Sequence, residues 1–177
     1  MLSERETINK VKEKQGIFSK IQNFFTLGYG TKEDLRELDR KLRDLYYIEL
    51  RDMRHVWEDL YLAAMDAGAA QSRNYKQVIQ VLDRVTEKVR HADYGYAGLW
   101  DRKGNIQENE LARVFNFDRD LGKDLDGLMA AVSKAQSEVE AENWGNVSAE
   151  VKNVKSLLLA FEDKWTEREK QFRPINM

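Results

Sequence analysis

Apolar residues recur three and four apart along this chain, in four long runs separated by short polar or glycine-bearing stretches. The first run covers 32–67. Leu35, Leu38, Leu42, Leu45, Tyr46, Met53, Val56, Trp57, Leu60 and Ala64 fall on one stripe at about 100° per residue, which predicts an amphipathic helix. Thr31 opens it, and Asp34 three residues on gives a weak form of the capping box. At 1.5 Å rise per residue this helix would reach about 54 Å, the longest of the four. The stretch "DAGAAQSRN" then turns the chain. A second helix is predicted over 75–96, with Tyr75, Val78, Ile79, Leu82, Val85, Val89 and Tyr96 on its stripe and Asn74 and Gln77 at capping-box spacing.

The third helix begins near 106, with Asn105 as cap and Glu108 three residues later. Leu111, Val114, Phe115, Leu121, Leu125, Leu128, Met129, Val132 and Val139 form its stripe. Gly122 and Gly127 lie inside it at a cost of roughly 1 kcal/mol each against alanine, so they either bend the helix or allow close packing. "ENWGN" breaks the chain before a fourth helix over 147–172, whose stripe is Val147, Val151, Val154, Leu158, Phe161 and Trp165. Four stripes joined by short connections predict an all-α fold, an up-down-up-down four-helix bundle over 31–172 with a tail at 173–177.

Ahead of the bundle, residues 1–30 form a separate segment. Within "GIFSKIQNFFTLGYG", Ile17, Phe18, Ile21, Phe24 and Phe25 make one strongly apolar face of a short amphipathic helix. Burying such side chains is worth roughly 1.5–3 kcal/mol each, so the face calls for an occupant. It docks on its own bundle, inserts in the groove of a partner or of a second copy, or lies on a membrane surface. Charge argues against the last. Arg5 and four lysines face three glutamates over residues 1–30, and each cation near an anionic surface supplies only about 1 kcal/mol.

Composition narrows the classes further. The chain has 177 residues, 42% hydrophobic and 34% charged, enough for one domain with a real core. The net charge of −2 lacks the clustered Lys and Arg that duplex binding needs, so nucleic acid is not the expected partner. No cysteine is present, which removes disulfides, thiolate metal sites and a cysteine nucleophile. No apolar run approaches the roughly 20 residues of a bilayer span, and "MLSERETINK" is too acidic for a secretory signal. A cytoplasmic setting is the expectation.

Three acids fall on the predicted stripes: Glu49, Asp93 and Asp118. With the first two helices antiparallel, Glu49 lies near the level of His91 and Asp93, and these three residues are the candidates for a metal or small ligand. The di-metal bundle signature is absent. The chain has only two histidines, His55 points off its stripe, and the fourth helix offers no stripe carboxylate. The competing reading pairs Glu49 with Arg90 or a tyrosine hydroxyl. The connection "RHADYGYAGLWDRKGN" gathers Tyr94, Tyr96, Trp100 and Arg102, the usual material of binding hot spots, unless its aromatics simply plug the end of the bundle. "GYGTKED" lacks phosphate-loop spacing, and no nucleophile motif occurs. No catalytic residue and no cofactor is therefore assigned. The expected function is non-enzymatic protein–protein interaction or assembly, with self-association into a homo-oligomer through Ile17, Phe18, Ile21, Phe24 and Phe25. Peripheral membrane binding by the same face is the alternative, and a metal- or ligand-binding bundle is the weaker third.

Overall fold

The computed structural model describes residues 32–71, 73–92 and 108–172, with side chains placed over 40–71, 73–92 and 116–170. Four helices account for nearly all of them: α1 (Lys32–Asp66), α2 (Asn74–Arg90), α3 (Glu108–Glu140) and α4 (Trp144–Phe172). No strand occurs among the described residues. At 35 residues, α1 is the longest.

Three of the helices bury a seam that steps by threes and fours in strict alternation. In α2 it is Tyr75, Val78, Leu82, Val85 and Val89, carried on by Ala92. In α3 it is Asp118, Leu121, Leu125, Leu128, Val132, Ala135 and Val139. In α4 it is Val147, Val151, Val154, Leu158, Phe161, Trp165 and Arg168. This is the heptad spacing that keeps one face of a helix against its neighbours. Helix α1 departs from it once. Its seam is Leu42, Tyr46, Leu50, Met53, Trp57, Leu60 and Ala64, with two successive steps of four before the alternation resumes. That insertion shifts the phase of the stripe. Leu50 therefore takes the core position, while Leu45, Glu49 and Val56 lie half-buried along its flank.

Hydrogen bonds fix which helices meet and in which sense. Trp57 Nε1 donates to the Tyr75 carbonyl at 3.0 Å and Arg54 Nε to Asp83 Oδ1 at 2.8 Å, so α1 and α2 run antiparallel. Arg168 reaches Asp118 while Lys134 pairs with Glu150, so α3 and α4 do the same. The two hairpins then lie side by side, α2 on α4 and α1 on α3. Across the α2–α4 contact, Asn74 and Gln77 meet Lys155 while Arg84 and Lys88 meet Glu162, so those helices run parallel. Around the bundle the order is α1, α2, α4, α3.

Several boundaries differ from the sequence expectation. Helix α2 ends at Arg90 rather than at 96, with the His91 N–H bonded to the Glu87 carbonyl. Just past this end, the Arg43 guanidinium donates to the Ala92 carbonyl at 2.6 Å, tying the exit of α2 to α1. Asn74 and Gln77 do not form a capping box. The residue before α2 is Arg73, in helical conformation and with no side-chain cap. The two side-chain carbonyls instead accept from Lys155 Nζ at 3.1 and 2.5 Å, tying α2 to α4. Gly122 and Gly127 sit in unbroken helix, Gly122 buried and Gly127 exposed. Thr31 and Asn105 lie outside the described residues, as do the side chains of Asp34, Leu35, Leu38, Leu111, Val114 and Phe115.

Both tight turns lie at one end of the bundle and share one geometry. After α1, Ala69 N–H bonds the Ala64 carbonyl and Gly68 N–H the Met65 carbonyl, with Gly68 at φ 69°. After α3, Asn143 N–H bonds the Glu138 carbonyl and Glu142 N–H the Val139 carbonyl, with Glu142 at φ 56°. These are paired Schellman turns, which favour glycine at the left-handed position. The second turn carries a glutamate there and leaves Gly145 inside α4. Glu142→Gly is accordingly expected to stabilise the protein by about 0.5–1 kcal/mol, and Gly68→Ala to destabilise it by about 1 kcal/mol. Nothing lies within 4 Å of a Cβ built on Gly68, so that loss would be backbone strain alone. Urea melts of the two variants read both signs, and a neutral Glu142→Gly would contradict the strain argument.

Candidate functional site

The sequence-predicted partner residues Ile17, Phe18, Ile21, Phe24, Phe25, Tyr94, Tyr96, Trp100 and Arg102 lie outside the described residues, as does Asp93. Of the metal candidates, Glu49 is half-buried on the flank of α1 and His91 is exposed at the end of α2, where its Nε2 lies 3.1 Å from Glu87 Oε2. Arg90, the partner expected for Glu49, rests over the Tyr47 ring at 5.9 Å and lies 3.8 Å from Glu87. Among the described residues no three His, Asp or Glu side chains gather in a way that could hold a metal ion.

The structure brings other groups together. Asp118 and Arg168, both on their helix seams, form a salt bridge of 2.7 Å between Arg168 Nε and Asp118 Oδ1, with side chains 0% and 1% exposed. The Arg168 guanidinium lies 5.0 Å over the Trp165 ring. Tyr46 meets Trp165 and Phe161 edge-on and donates its hydroxyl to the backbone carbonyl of Asp118 at 3.0 Å. Burial, reinforced by the Asp118 charge, pushes the Tyr46 phenol well above its ordinary range, so it remains a donor at neutral pH. This polar layer crosses α1, α3 and α4. Its ion pair joins α3 to α4, so its chemistry is positional.

A second cluster joins α2 to α4. Glu162, only 7% exposed, accepts from Arg84 Nε and Nη2 at 2.7 and 2.6 Å and from Lys88 Nζ at 2.7 Å. Arg84, with Lys88 beside it, holds this carboxyl down to about 2. The fourth helix therefore carries a buried carboxylate beside its stripe, although, as expected, none on it. Glu162 escaped that reading because it sits one residue past the seam position Phe161. The i, i+4 pair Arg84 and Lys88 was its only signal. Arg168 was more accessible to foresight, since it occupies the next heptad position after Trp165.

The third feature is a cleft of about 330 Å³ between the N-terminal half of α1 and the end of α2. Arg40, Arg43, Asp44, Tyr47, Val89 and Arg90 line it. It lies at the end of the bundle away from the two Schellman turns. Helices α1 and α3 begin at that end, and α2 and α4 finish there. The chain segments 1–31, 93–107 and 173–177 thus all connect to the same end of the described bundle.

Among the described residues no helix is long and apolar enough to cross a membrane. Comparison of the chain with protein-family models, with curated proteins and with solved structures found no match.

Proposed function

We propose that this chain is a non-enzymatic interaction or assembly module that self-associates through an N-terminal apolar helix carried on an up-down-up-down bundle, in a cytoplasmic setting. The observation that carries the reading is the polarity of the bundle. One end is closed by two hydrogen-bonded turns, and the other receives every segment that holds a predicted contact residue. Arg43 meets Ala92 just past the end of α2, yet α1 begins at Lys32, so its backbone extends about 16 Å beyond that point. This overhang would set the segment 1–30 clear of α2. Phe18, Ile21, Phe24 and Phe25 would then anchor by burial, at roughly 1.5–3 kcal/mol per side chain. The described core supports the same reading, because its ion pairs, Asp118–Arg168 and Glu162 with Arg84 and Lys88, are engaged in joining helices.

Light-scattering mass tests the proposal on the intact chain, on a version starting at Thr31 and on Phe24→Ala with Phe25→Ala. The intact chain is expected to be a homo-oligomer, and both altered forms monomers whose bundle stays folded. Anionic vesicles are added in a second series. A monomeric intact chain that floats with vesicles, and loses this with Phe25→Asp, would replace self-association by membrane-surface binding.

A further inference from the structure

We propose that the cleft between α1 and α2 is a binding site for a phosphomonoester dianion. Its lining holds three guanidinium groups, Arg40, Arg43 and Arg90, and one carboxylate, Asp44. Among the described lining residues three positive charges stand against one negative, a balance that suits a monoester with about −1.5 to −2 charge. Two of the three forks are held before any ligand arrives. Arg43 is pinned by its 2.6 Å bond to the Ala92 carbonyl, and Arg90 rests over the Tyr47 ring at 5.9 Å. Planar forks held in this way lose little freedom when they grip phosphate oxygens. The competitors shown for Arg40 and Arg90 are weak. Asp44 lies 3.9 Å from Arg40 with both side chains more than two-thirds exposed, and Glu87, 3.8 Å from Arg90, does not line the cleft. Such exposed pairs yield readily to a better anion. Tyr47 and Val89 give the same cleft an apolar wall, which suits the organic half of an ester and not a bare inorganic ion.

The site is tested on the full chain by calorimetric titration with phenyl phosphate, inorganic phosphate and sulfate at constant ionic strength. Saturable binding is expected, tightest for phenyl phosphate. Arg40→Gln and Arg90→Gln each remove an exposed fork and should weaken it by about tenfold or more without loss of helix content. Asp44→Asn removes the competing carboxylate and should tighten it. The opposite signs separate a binding role from a general effect on the fold. Flotation with vesicles containing phosphatidic acid separates the two sources of the ester. Binding to vesicles that falls in the same two arginine variants assigns a lipid headgroup, and phenyl phosphate binding alone assigns a soluble ester. Absence of saturable phenyl phosphate binding, or equal affinity in the parent and all three variants, overturns the proposal.

Discussion

Replacing Arg168 with methionine is expected to cost about 3–5 kcal/mol of folding free energy, one of the two largest effects anticipated for a single side chain in this protein. The reason is what it leaves behind. Asp118 has no exposed surface, and its Oδ1 accepts from Arg168 Nε at 2.7 Å. Without the guanidinium, a carboxylate remains in an apolar layer built from Tyr46, Phe161 and Trp165. Asp118→Leu should cost a similar amount by stranding the cation. The double variant Asp118→Leu with Arg168→Met removes both charges together, and it is expected to lie within about 1 kcal/mol of the parent. Urea denaturation of the four proteins forms a double-mutant cycle, and these losses imply a coupling of at least about 5 kcal/mol. Simple additivity of the two losses would mean that the pair is solvated and that the layer is not dry.

Acid should unfold the protein partly through Glu162. Arg84 and Lys88 hold its folded carboxyl down to about 2, whereas the unfolded chain titrates near the ordinary glutamate value of about 4.3. A depressed folded pKa contributes stability above the unfolded value. That contribution is complete at neutral pH, declines as pH falls below about 4.3, and is gone once pH passes below the folded value. Arg84 and Lys88 are themselves 51% and 37% exposed, so solvent screening holds the contribution to the order of 2 kcal/mol. Stability measured from about pH 6 to about pH 2 should fall less steeply in Glu162→Gln than in the parent, with the parent's advantage confined to the upper part of that range. Parallel acid limbs for the two proteins would remove Glu162 from the account.

The helices were legible in the sequence because each buries a periodic stripe. All six residues predicted for the fourth stripe, Val147 to Trp165, are buried. The misreadings have particular causes. In α1 two phases of the same repeat overlap: Leu45, Glu49 and Val56 follow one, and Leu42, Tyr46, Leu50, Met53 and Trp57 the other. A helical wheel without partners cannot choose between them. Packing chose the phase that carries Tyr46 and Trp57 inward, and Glu49 left the core with the rejected one. Asn74 and Gln77 matched a local capping pattern, but a lysine eighty-one residues away from Asn74 offered a better partner. The break expected at "ENWGN" is where the chain turns, on Glu142, but α4 opens at Trp144, three residues before the expected 147. The candidate site was less legible than the fold. Arg40 and Arg43 stand apart from Arg90 in the chain, and only the antiparallel pairing of α1 with α2 makes them neighbours.

The polar layer also determines what the helices cannot do. Along α3 from Leu121, and along α4 as far as Leu158, the seam is leucine, valine and alanine with little to tell one level from the next. Sliding α3 past α4 by one heptad, about 10.5 Å, would still match apolar groups with apolar groups over most of its length. It would not match Asp118 with Arg168. Each would face hydrocarbon, and the displaced arrangement would carry the penalty of two unpaired charges. A single ion pair can therefore act as a notch that admits one alignment of two otherwise sliding surfaces. The double variant that removes it should remain stable while becoming less particular, with broadened Trp165 resonances as the sign that several alignments are populated.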